Sequence, residues 1–259
     1  MRMMKKVLGT VTVLALSVSL LAGCGSTAAS PVSSAASTAA ESTTSSVVSE
    51  TTSAAADENA AAAAQLLNDL TGSYQELWPV ILADEYQQTW LDDCTALVGE
   101  ENAEAAFEKL SSMVTGDVYG EDAVEAYANG GGAYFCGFTN SLATLTFDGE
   151  TSTISGTDKD GNVLFSHTYH YIGMEPVHGL YEFESDDADS GEFTYFFLAP
   201  DTSAETYHIE FRYGSDAEAL SQYDAGEYAY WVASGISTDC DQTMIDNCIE
   251  LFCTENLAG

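Results

Sequence analysis

The stretch Glu-Thr-Tyr-His-Ile-Glu-Phe-Arg-Tyr-Gly, residues 205–214, places an imidazole and a carboxylate two residues apart in a run rich in β-formers. Side chains on a strand alternate between two faces. As a strand, the run therefore puts Tyr207, Ile209, Phe211 and Tyr213 on one face and His208, Glu210 and Arg212 on the other. Histidine nitrogen and carboxylate oxygen are both acceptable ligands of zinc and related cations, so His208 and Glu210 form a candidate metal pair. The competing arrangement is a Glu210–Arg212 ion pair, which contributes only about 0–1 kcal/mol when exposed. The metal reading requires His208 and Glu210 to share an inward-looking side of the sheet and aim at a common point. It also requires a third donor, supplied by His178 from the turn Gly-Met-Glu-Pro-Val-His-Gly or by an acidic loop residue. Of the other histidines, His167 and His170 are three apart in an apparent strand and are expected to face opposite sides.

Other clusters read as structural. Asp158-Lys159-Asp160-Gly161-Asn162 imitates the start of a calcium loop, but Tyr169 stands where such a loop needs its twelfth-position glutamate. A hairpin turn is expected there. The acidic run 184–192 is expected to be a solvated loop between strands. The chain lacks a GxSxG elbow, a P-loop and a Rossmann glycine pattern. The expectation is a binding protein and not an enzyme.

Several elements must position these residues. Residues 58–70 are strong helix formers that stop at Thr71-Gly72; a second helix is expected to open at Pro79, with further helices over 102–114 and 121–128. From residue 133 the hydrophobic period changes to two. Seven short aromatic-rich segments, at 133–139, 142–149, 152–157, 162–172, 179–185, 193–199 and 207–214, read as strands, with Asp148-Gly149 and Asp160-Gly161 as hairpin signals. This pattern predicts an antiparallel barrel or sandwich. A short helix around 217–222 and a last helix from residue 242, N-capped by Asp241, close the chain.

The amino-terminal quarter has a different character. Residues 1–23 combine a basic head, Arg2, Lys5 and Lys6, with an apolar run, and Leu21-Ala22-Gly23-Cys24 resembles a bacterial lipobox. The expectation is a lipoprotein signal cut before Cys24, which carries the lipid and anchors the chain to a membrane. Residues 24–57 are dominated by Ala, Ser, Thr, Val and Glu and read as a disordered tether spanning roughly 30 Å. Residues 58–259 then form one domain: helical over 58–130, a barrel over 131–214 and a C-terminal segment over 215–259.

The chain holds six Lys and Arg against 41 Asp and Glu, a formal charge of −35. Loss of the three signal-peptide cations takes this to −38. So negative a surface repels nucleic acid and anionic headgroups and attracts cations. Beyond Cys24 the cysteines are Cys94, Cys136, Cys240, Cys248 and Cys253, an odd count that leaves at least one thiol unpaired; most are expected to be buried.

Leu-Thr-Gly-Ser-Tyr-Gln-Glu-Leu-Trp-Pro-Val-Ile, residues 70–81, the segment 106–127, Phe-Phe-Leu-Ala-Pro at 196–200 and His-Ile-Glu-Phe-Arg-Tyr-Gly-Ser-Asp at 208–216 together resemble the ZinT family. That family also forms the second domain of AdcA-type zinc lipoproteins of Gram-positive bacteria. The resemblance runs through residues 70–259 and is densest over 193–216. It implies a mainly β, lipocalin-like antiparallel barrel with N-terminal helices and a C-terminal helix packed beside it. It also implies binding of zinc or cadmium outside the cytoplasm, on the extracellular face of the cell membrane, and assistance to a zinc ABC importer through that transporter's metal-binding lipoprotein. The family's three ligand histidines fall on Phe196, His208 and Glu210, so the chain departs from the pattern at two positions. Phe196 cannot ligate, and Glu210 makes the site harder. The alternative is a metal-independent barrel whose aromatic residues line a cavity for an apolar or carbohydrate ligand.

Overall fold

The computed structural model describes residues 58–200 and 206–258. The expected signal over 1–23, the expected tether over 24–57 and the expected lipid site Cys24 lie outside the described residues. Helix α1 covers 58–69. Strand β1 (Gly72–Glu76) leads directly into α2 (Leu77–Ile81), followed by α3 (Gln87–Val98), α4 (Ala103–Val114) and α5 (Glu121–Ala128). Seven strands follow: β2 (Thr144–Asp148), β3 (Thr153–Thr157), β4 (Val163–Met174), β5 (Tyr181–Ser185), β6 (Tyr195–Leu198), β7 (His208–Gly214) and β8 (Ala233–Ser237). The short α6 (Ala217–Leu220) sits between β7 and β8, and α7 (Gln242–Leu257) ends the fold.

The eight strands pair in chain order, each antiparallel to its neighbours, and β1 pairs with both β2 and β8 to close the ring. The expected lipocalin-like barrel with helices beside it is thus the architecture of the chain. Closure removes the exposed edges that an open sheet would present. Three segments depart from the sequence expectation. Segment 133–139 is not a ladder strand: it has isolated bridges from Phe135 to Thr115 and Trp231, and further backbone bonds tie it to Met113, Tyr230, Val232 and Ser234. Its place in the ring is taken by β1 and β8, so the barrel reaches well beyond residues 131–214. Strand β8 is buried on both faces, because the ring closes on one side and the helices cover the other. It therefore shows none of the alternation that marks a strand in sequence.

Register separates two cores. The pairs Tyr74 with Leu145, Phe147 with Ile154, Phe183 with Phe196, Phe196 with Tyr213 and Phe211 with Ala233 all point into the barrel. Joined by Phe138, Phe165, Tyr169 and Trp231, they make one buried cluster, to which α1 adds Ala63, Leu66, Leu67 and Leu70. Opposite Phe165 stands Gly156, where a Cβ would come within 2.4 Å of both Leu142 and Phe165. Glycine leaves the room that those side chains occupy. The second core lies outside the barrel wall. There Leu77, Trp78, Ile81, Trp90, Cys94, Leu110, Cys136, Ile236, Ile245, Cys248, Ile249 and Cys253 pack the helices onto the sheet.

Candidate functional site

Strand β7 brings both cores to one place. Ile209, Phe211 and Tyr213 are buried in the barrel interior, as the alternation predicts. His208 and Glu210 therefore point outward, paired with Ile236 and Ser234 of β8. The expected inward-looking placement is corrected: the interior side of this strand is wholly apolar or aromatic. Yet the outward side is not bulk solvent. Helices α2 and α7 lie across it, and His208 and Glu210 both line a pocket completed by Leu77, Trp78, Ile81, Cys248, Leu251, Phe252 and Glu255.

The geometry of α7 explains this lining. Asp241 caps the helix by accepting from the Met244 N–H at 3.0 Å. Counted from there, Cys248, Leu251, Phe252 and Glu255 fall at i, i+3, i+4 and i+7, a single helix face. Trp78 meets Phe252 edge-on at 4.7 Å between ring centroids and walls the pocket from α2. The imidazole Nδ1 of His208 lies 2.8 Å from the Thr206 hydroxyl, a contact that orients the ring. Cavity volume is about 30 Å³, space for an ion or a water or two.

The pocket's electrostatics disfavour free thiolate. Burial, reinforced by the nearby Glu210 carboxylate, pushes the Cys248 thiol up to about 12. The same two causes, in the same order, push Cys136 up to about 12. Donor types around the pocket are thus one imidazole, two carboxylates and a protonated thiol. Among the described residues no three His, Cys, Asp or Glu side chains stand gathered around a single point to hold a metal ion.

Arg212, on the same strand face, does not turn towards Glu210. Its guanidinium is fully buried and donates to the carbonyl oxygens of Leu220, Gln222 and Tyr228, while lying 4.2 Å above the Tyr223 ring. The expected alternative of a Glu210–Arg212 ion pair is replaced by a lock on the α6 segment. His178 belongs to this second cluster. Its ring is 3.8 Å from that of Tyr223, and its Nδ1 is 3.6 Å from the buried Glu175 carboxylate. It is not among the residues lining the His208 pocket. Burial lowers the His178 pKa, and the Arg212 charge adds to this against the opposing pull of Glu175.

The remaining candidates fall as structural groups. Asp158 accepts from the N–H groups of Asp160 and Asn162, making the expected hairpin turn. In the acidic loop Asp187 bonds His167 and Asp186 bonds His170, each at 2.8 Å. Phe196, where the family pattern has a histidine, is fully buried among the rings of Phe165, Tyr169, Phe211 and Tyr213. The pocket residues that sequence reasoning missed are Trp78, Cys248 and Glu255. The helical spacing 248–251–252–255 was a visible signal, but nothing in it says which surface that face meets.

No protein-family model matches the chain, and neither does any curated protein. Among solved structures, the chain is similar to the Zn(II)-bound ZinT-like domain of Streptococcus pneumoniae AdcA. The identity is 16%, over 71% of this chain and 89% of that one, with a TM-score of 0.45. It is also similar to Zn(II)-bound AdcA from the same organism, at 14% identity, covering 72% of this chain and 35% of that one, with a TM-score of 0.42. The chain thus spans about a third of full AdcA.

Proposed function

We propose that this chain is an extracytoplasmic protein, lipid-anchored through Cys24, that binds a divalent metal of the zinc or cadmium type and is not an enzyme. The observation that carries the reading is the convergence of His208 and Glu210 on one small pocket faced by Cys248 and Glu255 of α7. Imidazole, carboxylate and thiol together suit a borderline or soft cation better than calcium or magnesium, which take oxygen ligands. A third ligand drawn from Cys248 or Glu255 requires the α7 face to close towards β7. The formal charge of −35 supports the reading, since it raises the local concentration of cations. The resemblance to the ZinT family in sequence supports a role beside a zinc ABC importer, with that transporter's metal-binding lipoprotein as partner.

The packed interior weighs against the alternative of an apolar or carbohydrate ligand inside the barrel. Phe165 stacks on Phe193 at 3.9 Å, and Phe196, Phe211 and Tyr213 form a continuous ring cluster. A ligand would have to displace these side chains. The test is calorimetric titration of the full chain with zinc. Stoichiometric uptake, abolished by His208→Ala with the fold intact, is expected. Identical melting temperatures with and without zinc would sink the reading.

A further inference from the structure

The metal reading leaves unused a pair of thiols behind the pocket. Among the described residues all five cysteines are free, and Cys94 of α3 and Cys253 of α7 approach each other, sulfur to sulfur, at 3.9 Å. Both are fully buried in the outer core. They lie far apart in the chain, 159 residues, and join the helix that lines the pocket to one that does not. Cys253 falls between Phe252 and Glu255 in sequence but faces the other way, towards α3.

We infer that Cys94 and Cys253 form a disulfide that staples α3 to α7 once the chain meets an oxidising thiol–disulfide pool. A bond of about 2.05 Å requires the sulfurs to close by roughly 2 Å from their present contact. One thiol attacks a low-molecular-weight disulfide and releases one equivalent of the small thiol. The second protein thiol then displaces the remaining half, releasing another equivalent. The protein loses two hydrogens and the oxidant gains them. Burial pushes both thiols up, and their proximity to each other and to Asp93 pushes Cys253 further. Thiolate is therefore scarce in the closed fold, and the bond forms as α7 docks during folding. Among the described residues no other two cysteine sulfurs are in such contact. Cys136 meets the Tyr134 carbonyl, and Cys248 faces the pocket on the far side of α7.

Acidic residues make the experiment clean. Cleavage after glutamate isolates Cys253 in Leu251–Glu255 and Cys94 in Tyr86–Glu100, apart from every other cysteine. The full chain is unfolded, then refolded with oxidised glutathione and a metal chelator, so that the outcome is independent of the metal reading. The expected result is those two fragments joined, two hydrogens lighter, and a melting temperature roughly 5–15 °C above that of the reduced chain. Cys94→Ser and Cys253→Ser each remove the link and the shift, whereas Cys240→Ser keeps both. Recovery of Cys94 and Cys253 as free thiols, as separate glutathione adducts, or joined to other cysteines in wild-type protein would overturn the inference.

Discussion

The two faces of β7 differ in what they can do, although they are one residue apart. Inside the barrel, Ile209, Phe211 and Tyr213 lie in a closely packed, largely aromatic cluster, and the Tyr213 hydroxyl is already committed to Thr139. Outside it, His208 and Glu210 meet residues of α2 and α7 around a small pocket. A sheet packed on a sheet wall and a sheet packed on helices thus offer different chances for chemistry. The first fills itself with its own side chains, whereas the second meets the helices through residues of unequal length and leaves gaps where polar groups survive.

The largest effect that would test this contrast is Phe211→Ala. Removing a fully buried ring that touches Phe138, Phe196 and Tyr213 is expected to cost about 3–5 kcal/mol in denaturant unfolding. Zinc uptake by the molecules that remain folded should be unchanged, because Phe211 is turned away from the pocket. Loss of uptake at full folding would break the separation of the two faces. Arg212→Met comes next. It strands the carbonyls of Leu220, Gln222 and Tyr228 and is expected to destabilise by about 2–4 kcal/mol, measured in the same way. A nearly neutral result would mean that the α6 segment is held by its apolar contacts alone. Asp241→Ala sharpens the contrast at lower cost. Loss of the α7 cap should destabilise by about 1 kcal/mol and weaken zinc binding more than it weakens barrel stability.

The smallest expected effect is a pH dependence at His178. Its pKa is lowered from the ordinary 6.5 in the folded chain, so the unfolded chain takes up the proton first as pH falls. The stability that depends on neutral His178 is complete above that value and is lost as pH falls through it towards the folded-state pKa. Melting temperatures of wild type and His178→Gln should therefore draw together, or cross in favour of the variant, between pH 7.5 and 5. Parallel curves would show that His178 is well solvated.

Much of the architecture was visible in the residue pattern. Strands such as β5 and β7 alternate cleanly because one face is aromatic and the other mixed, and α7 announces its start through Asp241. Strands β1 and β8 were hidden for opposite reasons. Gly72–Glu76 runs into a helix without a break, and Ala-Ser-Gly-Ile-Ser at 233–237 is small and buried on both sides. The pairing of His208 with Glu210 was legible because a period of two is a local rule. Which side of the wall they occupy was not, since it depends on strands more than a hundred residues away.

The sequence by itself determined that one strand carries an imidazole and a carboxylate on a common face, that the chain is strongly acidic, and that an antiparallel β unit follows a helical one. Backbone geometry and charge are local properties, so residue order suffices for them. Only the tertiary structure decided that this face looks outward under α7, that Arg212 is committed to the α6 carbonyls, and that His178 stands with Tyr223 and Glu175. Those outcomes rest on barrel closure and helix docking, where distant segments compete for the same surface and packing selects among partners the sequence leaves equal.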